Sequence, residues 1–364
     1  MRLQGYLNLF VPGRVGGPRN MLGSGAAMPA ASLPPVFGGH PDLRSVPSDA
    51  ISGGGGWGGG SRSMLGLRIR NYEVVELLGE GAMGTVWLAL HAVTGRQAAI
   101  KFLRPELMQD ESEVARFLDE SRATSAVRHP NVVDVREAGM LRDGSTHYLM
   151  MEFLEGESLR RRLQRSRPLP IHEAIEIACQ IAAALDAAHQ LQIIHRDLKP
   201  ENLYLVPDEA VAEAVRVKVL DFGIAKLCGN RNNAPARMRT GVLLGTPQYM
   251  SPEQCLGVPG EIDHRTDIYA LGTILYEMLC GQVPFVSEGI GEILICQVFE
   301  PPPSLRTHSP EIPESLERVV LRALAKNPDE RFASMQDFAQ AVREAEPVHG
   351  AGAGRAGASV AKRQ

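Results

Sequence analysis

Cysteine is scarce in this sequence: five in 364 residues, at positions 179, 228, 255, 280 and 296, and no two stand in a C-x-x-C pair. An odd and scattered set argues against a disulfide framework and a zinc site, and for core or surface thiols in a reducing compartment. Aromatic residues make up only 5% of the chain. Charge of one sign is lacking too, since 38 Lys and Arg against 42 Asp and Glu leave a net charge of -4. That balance gives no reason to expect a nucleic acid or an anionic membrane as partner. No run of about 18 uncharged apolar residues exists, so no helix through a bilayer is expected. The stretch 181–194 is apolar, but Asp186, His189 and Gln190 interrupt it. The start, 1–12, has one arginine and no clear small-residue cleavage site, and reads as no signal peptide.

Glycine and proline, by contrast, crowd one end. Residues 1–63 contain 15 Gly and 7 Pro, a composition that cannot bury enough side chain to offset its backbone entropy. The G-x-G-x-x-G at Gly54, Gly56 and Gly59 has no strand before it and no helix after it, and is an accident of composition. The last residues, 347–364, are rich in Ala, Gly and Arg. The expected organisation is a disordered segment over 1–71, one folded domain over 72–342, and a disordered tail over 343–364. Hydrophobic residues at 44% and charged ones at 22% suit a globular domain.

The chemistry concentrates in His195-Arg196-Asp197-Leu198-Lys199-Pro200-Glu201-Asn202. Asp197 is placed to accept or orient the proton of an attacking hydroxyl, Lys199 to neutralise a transferring phosphoryl group, and Asn202 to reach a magnesium ion. Upstream, Gly79-Glu80-Gly81-Ala82-Met83-Gly84 joins two strand-like runs, 72–78 and 85–90, where backbone N–H groups can approach phosphate oxygens. A third strand, 97–103, carries Lys101 as its single charge. The helix predicted over 113–127 brings Glu120 to the margin of an apolar stripe, with Glu113 as its competitor. A hairpin, 203–206 and 215–220, leads directly into Asp221-Phe222-Gly223. Apolar residues at helical spacing over 171–189 predict a core helix, and a run that is apolar almost all round predicts a buried helix over 266–280. A P-loop ATPase would need G-x-x-x-x-G-K-[ST], which is absent.

On these residues the chain resembles the protein kinase family, and the forms G-E-G-A-M-G, D-F-G-I-A and G-T-P-Q-Y-M-S-P-E look most like bacterial serine/threonine kinases. The resemblance covers about 72–342. It implies an α+β bilobal fold, with a β-rich N-lobe over about 72–152 and a helical C-lobe over about 155–342. It implies ATP and Mg²⁺ as cofactors, with Asn202 and Asp221 as metal ligands. Lys101, held by Glu120, would meet the phosphates; the spacing to His129-Pro130-Asn131 selects Glu120 over Glu113. Leu78, Val86 and Ala99 would roof the adenine, Met151 would back it, and Glu152 and Leu154 would form the hinge. Tyr204 falls where the family places a smaller apolar floor. Thr246 would sit with Asp197 and Lys199 at the substrate hydroxyl, and Glu253 would pair with Arg331. Asp267 would support the catalytic loop from below.

Further expectations are a phosphate on Thr240 in the loop 229–241, and a preference of Glu201 for a basic side chain near the phosphoacceptor. Arg160, Arg161, Arg162, Arg165 and Arg167 read as a solvated helix face. Partners would be proteins bearing Ser or Thr, with self-association for autophosphorylation in trans, and no nucleic acid or membrane. Many bacterial kinases of this kind carry a membrane helix and sensor domain; with neither in the sequence, a cytoplasmic enzyme is expected.

Overall fold

The structure, a computed structural model, describes residues 64–81, 83–211, 214–222, 246–257 and 262–346. All of them fall in one unit of the chain, Ser61–Gln364. Its first part is a six-stranded sheet in the order β1-β2-β3-β4-β6-β5. The strands are β1 (Arg68–Ile69), β2 (Tyr72–Glu80), β3 (Gly84–His91), β4 (Gln97–Leu103), β5 (Val135–Met140) and β6 (His147–Glu152). The ladder is antiparallel, with Lys101 opposite Val86 on one side and Leu149 on the other.

The pleat of β4 decides what each face does, because successive side chains alternate. Ala98, Ile100 and Phe102 enter one apolar cluster, with Tyr148 and Met150. Ala99 and Leu103 enter another, with Phe117, Leu149 and Met151. Lys101 shares the second face, which helix α1 (Glu111–Ala126) covers. That helix begins where Asp110 accepts from Ser112 N at 2.9 Å, a capping bond that satisfies an orphan donor. Its buried residues Phe117, Glu120, Ser121 and Thr124 recur at helical spacing.

The first face is closed by residues expected to be disordered. Met64 and Ile69 are buried against Val74, Ile100 and Phe102, and β1 pairs with β2 through Ile69 and Tyr72. Arg70 Nε and the Tyr148 hydroxyl both donate to Glu137 Oε1 at 2.7 Å. Ordered structure therefore begins by Met64, because an exposed sheet face needs apolar cover. Arg343 and Glu344, also expected in a disordered tail, complete the last helix, and Ala345 caps it and is buried.

The second part is helical around a small sheet, β7 (Glu157–Ser158), β8 (Leu203–Pro207) and β9 (Val215–Val219). Helices α2 (Leu159–Arg165) and α3 (Ile171–Gln190) precede the hairpin. After it come α4 (Pro252–Leu256), α5 (Arg265–Cys280), α6 (Ile290–Phe299), α7 (Glu314–Ala323) and α8 (Met335–Glu344). Helix α5 is buried from Thr266 to Leu279, so it is the axis on which the others pack. It stops at Gly281, whose φ of 75° lets its N–H reach Glu277 O. No helix among the described residues is long and apolar enough to cross a membrane.

The basic cluster is a solvated face only in part: Arg161, Arg165 and Arg167 are exposed, while Arg160 and Arg162 are half-buried. Arg162 pairs with Glu173, Arg165 with Glu157, and Arg167 donates to Leu163 O and Gly281 O. Arg160 is drawn inward to Glu201 and Glu277. The acids that hold Arg160 are distant in sequence, which no local charge pattern reveals.

Candidate active site

A cavity of about 760 Å³ opens between the two parts, a volume within the range of small-ligand sites. Its lining takes Leu78, Gly79, Glu80, Gly81, Met83, Gly84, Val86, Ala99 and Lys101 from the sheet and Glu120 from α1. Met151, Glu152 and Leu154 come from the connection, and Asp197, Lys199, Asn202, Tyr204 and Asp221 from the helical part. Of the other residues singled out from sequence, Thr246 is half-buried at the head of the turn Pro247–Tyr249 and is not in the lining. Ala82, Thr240 and Cys228 lie outside the described residues.

Lys101 Nζ sits 3.0 Å from Glu120 Oε1 and 2.9 Å from Asp221 Oδ2. Glu113 is taken by Arg116, whose Nη1 donates to both of its oxygens at 2.8 and 2.9 Å. Two carboxylates thus share one ammonium in a buried place. Burial raises the Glu120 carboxyl above the ordinary range; Lys101 opposes this, and the Asp221 charge adds to it. Burial pushes Asp221 the same way, but the attraction of Lys101 outweighs it and the carboxyl is lowered. On Lys101, burial is outweighed by the two acids and the ammonium is held more firmly protonated.

The catalytic loop is pinned from beneath. Asp267, fully buried in the first turn of α5, accepts from His195 N at 2.8 Å, from Arg196 N at 2.9 Å and, through its Oδ2, contacts His189 Nε2 at 2.8 Å. Burial opposes its charge, yet His189 and the loop amides lower its carboxyl. Arg196 takes a φ of 63° and Asp221 one of 43°, a region that costs a side-chain-bearing residue about 1–3 kcal/mol and persists only where the surroundings impose it. Gln254 Nε2, donating to Arg196 O at 2.8 Å, is a second such restraint. The buried His195 ring faces Leu220 O through Nε2 at 3.0 Å and lies 5.0 Å from the Phe222 ring. Burial lowers its pKa, and its Nδ1 accepts from Asp197 N at 3.3 Å. Asp197 Oδ2 stands 3.1 Å from Lys199 Nζ.

The donor set suits a hard cation. Asn202 Nδ2 donates to Asp197 O at 2.9 Å, so its Oδ1 and a carboxylate oxygen of Asp221 are the atoms that could face a cation. No group of three or more His, Cys, Asp or Glu able to hold a metal exists among the described residues. A magnesium ion held by two protein oxygens completes its shell with phosphate oxygens and water.

Elsewhere the lining departs from expectation in detail. A Cβ on Gly84 would stand 1.9 Å from Phe102 O, so that glycine serves the β3–β4 approach. Gly79 has nothing within 4 Å of its Cβ position, leaving room for a ligand. Glu152 Oε1 accepts from Asp134 N at 2.8 Å and Lys218 Nζ at 2.7 Å, so its carboxylate is engaged within the chain. Arg116, Phe153, Glu155, Gly156 and Leu220 also line the cavity and were not anticipated. Arg116 could have been found, since it lies one turn before Glu120. Below the site, Arg331 holds Glu253 with two bonds of 2.8 Å, and Asn131 ties the sheet part to β9 through Val217 O at 2.9 Å.

A two-part fold with a lysine–glutamate pair, an Asp and an Asn whose oxygens could face a cation, and a second Asp beside a lysine brings together the kinds of group that phosphoryl transfer uses. The family model for the protein kinase domain matches residues 72–343. The chain is 42% identical over 269 residues to serine/threonine-protein kinase pkn3 of Myxococcus xanthus, covering 73% of this chain and 48% of that protein. It is 34% identical over 283 residues to serine/threonine-protein kinase PrkC of Bacillus subtilis, covering 78% and 42%. Among solved structures, the PknI kinase domain of Mycobacterium tuberculosis superposes with a TM-score of 0.60 at 27% identity, covering 79% of this chain and 100% of that one. The chain belongs to the protein kinase family, has its bilobal fold, and is similar to the bacterial serine/threonine branch. It spans less than half the length of the two curated relatives.

Proposed function

We propose that this chain transfers the γ-phosphoryl group of ATP to Ser and Thr hydroxyls of proteins. The observation that carries this reading is Lys101 bridging Glu120 and Asp221 in the cavity that also holds Asp197 beside Lys199. Leu78, Val86 and Ala99 cover the adenine, Met151 and Tyr204 bound it, and the backbone at Glu152 and Leu154 offers it hydrogen bonds. The loop Gly79-Glu80-Gly81-Ala82-Met83-Gly84 lies over the phosphates, and Lys101 holds them. Asn202 and Asp221 would hold magnesium, which would supply positive charge to the phosphates. Asp197 orients the acceptor hydroxyl and takes its proton, Lys199 stabilises the moving charge, and Thr246 helps seat the acceptor. Catalysis is positioning and charge neutralisation, with turnover on the order of 1–100 s⁻¹.

Activation, in this reading, follows autophosphorylation of Thr240 in trans between two copies, since a phosphate there would meet Arg196. The setting is bacterial signalling in the cytoplasm, where the free thiols of Cys179, Cys255, Cys280 and Cys296 stay reduced. Incubation with γ-labelled ATP, magnesium and a generic basic protein tests the reading: label on Ser and Thr is expected from the parent and none from Asp221→Asn. Nucleotide binding without label from the parent would overturn it. Thr240→Ala is expected to lower the rate while leaving ATP affinity unchanged; equal rates would discard the loop phosphate.

A further inference from the structure

Helix α6 turns one narrow stripe inward: Ile293 and Gln297, a turn apart, are its buried residues. An apolar side chain is the ordinary occupant of such a stripe, and an amide at 1% exposure is costly unless its donors and acceptor are matched. Gln297 meets that condition. Its Nε2 donates to Pro247 O at 3.1 Å and to Gln248 O at 2.6 Å, and its Oε1 accepts from the Tyr269 hydroxyl. Two carbonyl oxygens can be met only by the NH₂, so the amide has one orientation. Tyr269 belongs to the buried axis α5, and the Arg331 guanidinium lies over its ring at 4.9 Å. The last turn of α6 is held separately, by Lys326 Nζ donating to Cys296 O at 3.0 Å and Gln297 O at 2.8 Å. The helix end is thus fixed by another residue, while the Gln297 side chain spends all its bonds on other elements.

The carbonyls it holds belong to the turn Pro247–Tyr249, headed by Thr246. That turn restrains itself poorly. Pro247 has no N–H to give, and the bonds from Tyr249 N to Thr246 O and from Met250 N to Pro247 O are 3.2 and 3.3 Å long, at the weak end of the range. Downstream, Ser251 Oγ meets Thr266 Oγ1 at 2.8 Å, and Glu253 is tied to Arg331. Between those anchors and Thr246, one buried amide grips two successive carbonyls from outside.

We infer that Gln297 is a positioning residue: by holding Pro247 O and Gln248 O it sets the turn headed by Thr246, and through Thr246 the seat of the acceptor hydroxyl. Its role presupposes the kinase reading, in which Thr246 helps seat that hydroxyl. Neither Gln297 nor Pro247 nor Gln248 lines the nucleotide cavity, so transfer to water, which needs no seat for a side chain, should be spared relative to transfer to a peptide. The test measures two rates in each purified variant with Mg-ATP: kcat/KM for a serine peptide that the parent labels, and ATP hydrolysis without peptide. A general loss of activity cancels in their ratio. Gln297→Met keeps the length of the side chain but removes its donors and acceptor, and should lower the ratio about ten- to hundredfold, as for a displacement on the order of 1 Å. Tyr269→Phe removes only the orienting hydroxyl and should lower it about two- to fivefold. In Thr246→Ala protein the effect of Gln297→Met should shrink to within about twofold, because a residue acting through Thr246 has nothing left to act on.

A Gln297→Met ratio equal to the parent's, with both rates falling together as a lost packing contact would make them, overturns the inference and leaves the kinase reading intact. An undiminished fall in the Thr246→Ala background overturns it too. Absence of label from every peptide and protein refutes the kinase reading, and the role of Gln297 falls with it. Where Gln297→Met yields no soluble protein, Tyr269→Phe decides: a lowered ratio supports the role, and a ratio equal to the parent's refutes it.

Discussion

Asp267→Asn isolates the anchor of the catalytic loop. The replacement keeps the shape but removes the charge, and its amide NH₂ cannot accept from both loop N–H groups. Asp267 is fully buried and meets His195 N, Arg196 N and His189 Nε2 within 2.9 Å. Breaking such a buried, fully paired carboxylate costs about 3–5 kcal/mol, and the acceptor that Asn retains favours the low end, about 3 kcal/mol. At roughly 2–4 °C per kcal/mol, Tm should fall by about 6–12 °C. Arg196, at a φ of 63°, would then relax, displacing Asp197 next to it. A shift on the order of 1 Å costs up to about a hundredfold in kcat, while ATP affinity, set by the sheet and hinge, should change little.

Thermal unfolding and steady-state kinetics at a temperature well below both transitions check this. A Tm within 2 °C of the parent, or an unchanged kcat, would refute the view that Asp267 imposes the loop conformation. The pH dependence supplies a second check. The folded carboxyl is lowered, so its stabilisation is present above the unfolded value, about 3.9, and is lost as pH falls through the folded one. The Tm gap between parent and variant should therefore narrow on acidification; a constant gap would contradict the assignment.

Beginning the chain at Tyr72 should destabilise it relative to one beginning at Met64, since burying Met64 and Ile69 contributes about 1.5–3 kcal/mol each. Equal Tm values would show that this cover is dispensable. Glu253→Gln leaves Arg331, whose side chain is 0% exposed, without its counter-ion and should cost about 3–5 kcal/mol, read as a lower denaturant midpoint. Glu120, whose folded carboxyl is raised by burial, gives the opposite pH slope to Asp267. The folded state holds the extra proton, so stability falls as pH rises through that raised value. In nucleotide-free protein, Glu120→Gln should remove this part of the slope, and identical Tm–pH profiles for both proteins would count against it.

What could be read from sequence divides by the range of the information. Lys101, Glu120 and the hairpin before Asp221 were legible because a two-residue pleat and a helical stripe are local signals. Choosing Glu120 over Glu113 needed the resemblance, and the structure adds the physical reason, since Arg116 claims Glu113. The strap at 64–71 was hidden for a different reason. Its two buried anchors, Met64 and Ile69, follow a glycine-rich tract whose composition swamps them, and β1 is only two residues long. Arg160 was misread because Glu201, Tyr249 and Glu277 lie 41, 89 and 117 residues away. Apolar periodicity reports which face is buried, and that builds the fold. It does not report which distant acid a half-buried arginine will meet, because that pairing is fixed only when the helices and loops have packed.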